Sequence, residues 1–354
     1  MQKTEKNPYD YDLPRELIAS VPAEPRDSAR LFVLDTATGE IAFDHFSNLG
    51  SRLPKEALLV LNDTKVVPAR IDLYKKSGGK VELLMLLNEW EGAPSPIKVM
   101  ADRKIEVGDE LHAASSEIFR VAGQDRHFFL LEPPFDALHL DDFLNRYGRT
   151  PIPKYIKGIG LSERELRTRY QSVFAAKASS VAAPTASLHF TKEVFAKLKE
   201  KGVRTAEITL HVGLGTFAPV SDINLKTGKL HSESYDISYD SSRLIREAKQ
   251  NHQPIVAVGT TVVRALESFA SYITSSDTLV GVKDSTDIFI RPPYEFKIVG
   301  AMITNFHLPG SSLMMLVQAF LEFKRSPLRI IDLYKKAIAE RFRFYSFGDA
   351  MLIK

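Results

Sequence analysis

Two rhythms of apolar residues run along this chain, and they change over near residue 174. LFVLD (Leu31–Asp35) and ALLVLN (Ala57–Asn62) are unbroken apolar runs between polar flanks, the pattern of strands buried on both faces. From about Pro68 to Pro134 shorter runs follow one another: ARIDLY, KVELLML, IKVMA, DELHA, IFRVA and HFFLLE. Turn sequences separate them at SGGK (Ser77–Lys80), VGDE (Val107–Glu110) and AGQD (Ala122–Asp125). Many short strands at this spacing predict a small antiparallel barrel or sandwich.

Beyond about Phe174, strands alternate with helices. Thr191 is placed to cap a helix that runs through Glu200, and Gly202 to end it. Strand AEITLHV (Ala206–Val212), a helix over roughly Ser241–Gln250, strand PIVAVG (Pro254–Gly259) and helix TVVRALESFA (Thr261–Ala270) follow. Then come strands TDIFI (Thr286–Ile290) and IVGAMITNF (Ile298–Phe306), and helices over about Ser311–Phe323 and Leu328–Arg341. This alternation predicts an α/β fold built on a parallel sheet, with a closed barrel as one form of it. At 354 residues the chain exceeds most single compact cores. The expected organisation is an α/β barrel-like catalytic domain from residues 1–66 and 148–354, with 67–147 inserted as a small antiparallel β-barrel.

Composition narrows the function classes. The apolar fraction of 44% and charged fraction of 26% are those of ordinary globular proteins. The chain has no cysteine, which excludes disulfides, zinc-thiolate sites and a cysteine nucleophile and fits a reducing compartment. Glu5, Asp10 and Asp12 interrupt the amino-terminal stretch, so no signal peptide is read there. No apolar run approaches the roughly 18 residues a membrane span needs. A cytoplasmic enzyme is expected. The net charge of +3 identifies no nucleic-acid binder by itself. Charge does cluster between residues 146 and 169: Arg146, Arg149, Lys154, Lys157, Arg164, Arg167 and Arg169 stand against only Glu163 and Glu165. A solvated face and a phosphate-binding patch both fit that cluster.

Four of the nine histidines sit in short unusual segments: His189 in LHF, His211 in LHVGLGTF, His231 in LHSES and His307 in NFHLPG. His211 and His307 fall at the carboxyl ends of expected strands, where α/β folds bind ligands. The segment Thr209–Val220 contains a formal G-x-G-x-x-A match, but Pro219, Val220 and Ser221 follow without helical periodicity, so a dinucleotide fold is rejected. Its glycines still permit close backbone approach to a ligand, or simply a tight turn. Gly259-Thr260-Thr261 joins a buried strand directly to a helix and leaves N–H groups open to an anion or a ribose hydroxyl. Arg264 lies one turn further on, within reach of a carboxylate, a phosphate or a surface ion pair. AAPTASLHF (Ala182–Phe190) offers small residues that admit a flat ligand or a tightly packed connection. Neither G-x-S-x-G nor HExxH occurs; His231 and Glu233 alone make a poor metal site, and none is expected.

Set in order, these segments resemble the S-adenosylmethionine:tRNA ribosyltransferase-isomerases of queuosine biosynthesis. The resemblance runs through the whole chain: YDLPRELIA near Tyr11, LVLNDTKVVPAR (Leu59–Arg70), GGKVELL (Gly78–Leu84), YGRTPIPKYI (Tyr147–Ile156), RYQSVFA (Arg169–Ala175) and VAAPTASLHFT (Val181–Thr191). It continues through TLHVGLGTFAPV, LHSESYDI (Leu230–Ile237), AVGTTVVRALES (Ala257–Ser268), TDIFIRPPYEFK (Thr286–Lys297), ITNFHLPGSSLMMLVQAF (Ile303–Phe320) and RFRFYSFGDAMLI (Arg341–Ile353). It implies an α/β barrel interrupted by a small β-barrel. It also implies a reaction: the ribosyl part of S-adenosylmethionine moves onto the aminomethyl group of a 7-deazaguanine in the tRNA wobble position. Rearrangement gives epoxyqueuosine and releases adenine and methionine. The partner implied is a tRNA with a GUN anticodon, with no membrane and no obligate protein partner, the enzyme acting as a monomer.

Such chemistry needs a base and an acid, and histidine serves as either near neutral pH. On the resemblance, His189, His211 and His307 are the expected catalytic residues, with Glu233 as helper. Gly213, Gly215, Thr216, Thr260, Arg264 and Asn305 are expected to hold S-adenosylmethionine, Arg264 at its methionine carboxylate. Arg149, Lys154, Tyr155 and Arg169 are expected at the tRNA, through salt-dependent phosphate contacts. The chain departs from the family pattern at Ser179 and Ser187, each in place of a usual glycine, at Gly228 in place of a common histidine, and at Pro293 in place of a usual glycine. An α/β-barrel enzyme acting on a free nucleoside or another nucleotide ligand without tRNA, and a non-catalytic RNA-binding module, are the competing classes. The second calls for aromatics interleaved with basic residues and no convergent histidines, which is not the pattern here.

Overall fold

The structure is a computed structural model that describes residues 7–90, 92, 94–213, 220–275 and 280–354. A hairpin of β1 (Arg30–Leu34) and β2 (Ile41–His45) leads through α1 (Leu49–Arg52) to β3 (Leu58–Asn62) and the short β4 (Thr64–Val66). Six strands then follow: β5 (Arg70–Lys75), β6 (Lys80–Met85), β7 (Ile97–Ala101), β8 (Glu110–His112), β9 (Ile118–Asp125) and β10 (Phe128–Glu132). They close into a barrel in the order β10-β7-β6-β5-β8-β9, every pair antiparallel. Helix α2 (Ala137–Tyr147), capped by the Asp136 carboxylate, packs Leu140, Phe143 and Leu144 into the barrel's own core beside Phe119 and Val121.

Arg149 and Arg70 exchange backbone hydrogen bonds of 2.7 and 3.2 Å where the chain leaves the barrel. A Cβ at Gly148 would meet the Pro68 carbonyl oxygen at 2.0 Å, so only glycine lets these two segments lie this close. Helix α3 (Glu163–Arg169) opens on a capping box between Ser162 and Glu165. Strand β11 (Lys177–Ser180) then pairs with β4.

The second half supplies α4 (Lys192–Glu200), β12 (Arg204–Leu210), α5 (Asp222–Thr227), β13 (Lys229–Ile237), α6 (Tyr239–Gln250) and β14 (Ile255–Val258). It ends with α7 (Thr260–Ser275), β15 (Val282–Ile288), β16 (Ala301–Asn305), α8 (Ser312–Phe323), α9 (Ile330–Ala339) and β17 (Ala350–Ile353). The main sheet has nine strands in the order β15-β13-β12-β3-β14-β16-β17-β1-β2. Its centre, β12-β3-β14-β16, is parallel throughout, so four strands release their carboxyl ends at one edge. Alternate side chains of β3 serve different layers: Leu58 and Val60 join the core with Leu266 and Phe320, while Leu59 and Leu61 join the one with Val258 and Leu352.

The expected fold class is therefore found: mixed α/β with a closed antiparallel barrel of six strands. The main sheet is open, with β15 and β2 at its ends, so of the forms the pattern allows it is not the closed barrel. Five strands were not anticipated: β2, β4, β11, β13 and β17. In β13 the buried residues are Glu233, Tyr235 and Ile237, so a carboxylate occupies an inward position and breaks the apolar alternation. The last strand, β17, is only four residues long.

Candidate active site

The carboxyl ends of the parallel strands are braced by buried polar residues. Asn62, at the end of β3, donates to the Leu210 carbonyl (2.9 Å) and accepts from the Leu210 amide (3.0 Å) and the Thr64 amide (3.1 Å). It also reaches Thr261 Oγ1 at 3.3 Å in the first turn of α7. Asp63 accepts from Thr209 Oγ1 at 2.6 Å, and Thr64 Oγ1 hydrogen-bonds His211 Nδ1 at 2.8 Å. One short polar run after an apolar strand thus fixes the ends of β3 and β12 and the start of α7.

A cavity of about 170 Å³ lies against this edge. Its walls include Ala183 to Ala186, Val212, Gly259 to Thr261 and Thr304 to Ser311. Gly259 adopts φ of +92°, a left-handed conformation that turns β14 directly into α7. Thr260 and Asn305 are both on the wall and both buried. Thr185 Oγ1 donates to Asn305 Oδ1 at 2.8 Å, which leaves Asn305 Nδ2 buried without a partner among the described residues.

The three expected catalytic histidines are held differently. His307 is on the cavity wall, with Nε2 at 2.8 Å from Thr304 Oγ1, its backbone N–H donating to the Tyr334 hydroxyl at 2.8 Å, and its carbonyl accepting from Tyr11. Burial pushes its pKa down to about 3. His211 is half-buried, and burial lowers its pKa against the opposing pull of Asp63. Its neighbour Val212 faces the cavity. His189 ends a short 3-10 helix and packs on Phe46 with ring centroids 5.1 Å apart, its Nε2 without a partner among the described residues. Burial takes it down to about 4, against the pull of Asp349. Neither His189 nor His211 lines this cavity among the described residues.

Glu233 and Arg264 form a buried ion pair, and Glu233 also accepts from the Gly213 amide at 3.0 Å. The pair holds the backbone that follows His211. Arg264 Nε and Nη2 are buried without partners among the described residues. Gly215 and Thr216 lie outside the described residues.

A second cavity, of about 430 Å³, opens between the barrel and the main sheet. Its walls include Glu82, Met100, Asp102, His127 and Phe128 from the barrel, and Ala182, Gly213 and His231 from the main sheet's side. Tyr155 lines both cavities, and the adjacent pairs Ala182–Ala183 and Val212–Gly213 put one residue in each. The two spaces therefore share a seam. The Tyr155 hydroxyl bonds Ser346, and burial pushes its pKa up to about 12.

Of the basic residues expected at tRNA, Lys154 is exposed on the second cavity's wall, 4.0 Å from Glu82 Oε1. Arg149 is paired with Asp72 (2.6 Å) and Glu82 (3.0 Å), and Arg169 with Glu24 (2.7 Å). Sequence reasoning did not single out Asn62, Asp63, Thr64 or Thr304, and noted Thr185 only as part of the AAPTASLHF segment. The visible signal for the first three was an Asn-Asp-Thr run directly after an unbroken apolar strand.

Comparison with known proteins gives one consistent answer. A sequence model of the family described as "Queuosine biosynthesis protein" matches residues 6–353. The S-adenosylmethionine:tRNA ribosyltransferase-isomerase of Carboxydothermus hydrogenoformans is 42% identical over 350 residues, 98% of each chain. The protein of the same name from Fusobacterium nucleatum is 42% identical over 352 residues, covering 98% of this chain and 95% of its own. Among solved structures, the S-adenosylmethionine tRNA ribosyltransferase of Thermotoga maritima matches with a TM-score of 0.54 and 34% identity, over 98% of this chain and 99% of that one.

Proposed function

The chain belongs to the queuosine biosynthesis protein family, among the S-adenosylmethionine:tRNA ribosyltransferase-isomerases, and from that premise we propose what its site does. It transfers and isomerises the ribosyl moiety of S-adenosylmethionine onto 7-aminomethyl-7-deazaguanine at the wobble position of a GUN-anticodon tRNA. The product is epoxyqueuosine-tRNA, with adenine and methionine released. The enzyme works in the cytoplasm, as a monomer and without a metal. Residues 67–147 act as an inserted domain against the catalytic remainder.

The observation that carries this reading is the seam between the two cavities. S-adenosylmethionine is a co-substrate here, and the first cavity suits it: Thr260 and Asn305 sit at strand ends, and the buried Asn305 amide nitrogen is still without a partner. Gly213 supplies bare backbone at the seam. Lys154 and Tyr155 stand beside the second cavity, where an anticodon nucleotide enters.

We assign the base role to His211 and a hydrogen-bonding role to His307. Both are neutral at pH 7, because burial lowers each. Thr64 fixes the His211 ring through Nδ1, leaving Nε2 for the transferred proton. Glu233 and Arg264 then work as positioning residues through Gly213. His189 supports the Ala182–Phe190 wall from behind.

Adenine release tests the reaction. Purified enzyme with S-adenosylmethionine and tRNA bearing the aminomethyl base is expected to release adenine. The same enzyme with tRNA carrying unmodified guanine is expected to release none. Equal release with and without the modified tRNA would overturn the proposal.

A further inference from the structure

The second cavity carries more chemistry than a channel for tRNA needs. We infer that it seats the wobble base itself, with Asp102 reading the base's donor edge and Phe128 covering its face. This rests on the tRNA-modifying reading above and adds to it which residues recognise the base. At about 430 Å³ the cavity falls in the range of pockets that bury small ligands, and it has room for a flat bicyclic base. Its flanks suit a flat ligand: Met100 and Phe128 stand on the barrel side, and Gly213 presents bare backbone on the other.

Asp102 is the acceptor with capacity to spare. Its Oδ1 accepts the Glu82 amide at 2.9 Å, and the exposed Arg103 guanidinium touches Oδ1 and Oδ2 only through long contacts of 3.4 Å each. Glu82 is differently placed, since Arg70 (2.6 Å) and Arg149 (3.0 Å) already claim both its oxygens. A carboxylate is acceptor-only, so its match is an edge with adjacent donors. The guanine-type edge has that pair in its ring N–H and exocyclic amine; adenine and the pyrimidines lack it. The aminomethyl group lies on the five-membered ring, on the side of the base opposite that edge, and Tyr155 lines the same cavity as Asp102. At Tyr155 the cavity meets the one assigned to S-adenosylmethionine. A base reaches this position only by leaving its stack, as in other enzymes that act on bases.

Two variants and two readouts test this. Asp102→Asn keeps the oxygen that accepts the Glu82 amide but replaces an acceptor with a donor at the other position. It is expected to lower kcat/KM for the modified tRNA by about 10- to 100-fold, the scale of a lost charged hydrogen bond. Phe128→Ala is expected to lower it by about 5- to 100-fold through lost stacking. Binding of S-adenosylmethionine alone should stay at the wild-type Kd in both. Calorimetric titration of free 7-aminomethyl-7-deazaguanine reads the pocket without turnover, and Asp102→Asn is expected to weaken it at least 10-fold. Wild-type kcat/KM in both variants, or equal affinity of Asp102→Asn for the free base, would overturn the pocket assignment. A wild-type enzyme that binds the free base through Asp102 yet releases no adenine would keep the pocket and sink the reaction instead.

Discussion

Burial suppresses protonation of three histidines to different extents, and this has a sign that stability measurements read. His189 falls to about 4 and His307 to about 3, against 6.5 for an unfolded histidine. Between pH 6.5 and 4 the unfolded chain binds protons that these folded rings refuse, so stability drops as pH falls. At about 1.4 kcal/mol for each pH unit of depression, each ring costs on the order of 3 kcal/mol by pH 4. The urea midpoint is therefore expected to fall from pH 7 to pH 4.5, and less steeply in His189→Gln. An unchanged slope in that variant would show that His189 is not the group responsible. The Glu233–Arg264 pair makes a second prediction. Glu233→Gln or Arg264→Met alone leaves a buried charge uncompensated and should cost about 3–5 kcal/mol, while the double variant costs less than the sum. Denaturant unfolding of the four proteins measures this, and strict additivity would mean that the pair is not coupled.

Among the elements, the brace at the end of β3 matters most for the site. Asn62→Ala strips partners from both backbone groups of Leu210 and from the Thr64 amide. The expected loss is about 2–4 kcal/mol, with a lower Tm by calorimetry. Wild-type Tm would show that these groups find other partners. Elements were legible where burial and apolarity coincide: β3, β14 and β16 are largely apolar runs and β12 alternates apolar Ala206, Ile208 and Leu210 with polar residues, and the carboxyl ends of β14 and β16 pointed to Thr260, Asn305 and His307. They were illegible where function puts polarity inside. Glu233 hides β13 because an inward carboxylate looks like a turn residue, and β15 starts before its apolar end because Lys283, Asp284 and Ser285 are consecutive exposed polar residues at the sheet edge. Asp102, His127 and Phe128 could not be tied to Gly213 by any local pattern. They meet it only once the barrel folds back on the main sheet.

At the scale of the molecule, two cavities from two structural layers meet at Tyr155, and basic residues flank the larger one. Three cations of the 146–169 cluster are already paired: Arg149 with Asp72 and Glu82, Arg167 with Glu163, Arg169 with Glu24. Lys154 is exposed and only loosely held. Lys154→Ala is therefore expected to weaken tRNA binding and lower the slope of log Kd against log salt by about 1, with Arg169→Ala changing it less. Kd titrations over a range of salt check this, and equal slopes for the two variants would contradict it. In the proposed reaction, ribose carbons leave S-adenosylmethionine and end on the tRNA base across the seam between the cavities. The most direct measurement uses S-adenosylmethionine labelled with carbon-13 in its ribose, followed by mass spectrometry of the wobble nucleoside. The whole ribose label is expected in that nucleoside, with unlabelled adenine and methionine free in solution. Label that stays on a released adenine nucleoside, with the tRNA base unchanged in mass, would contradict it.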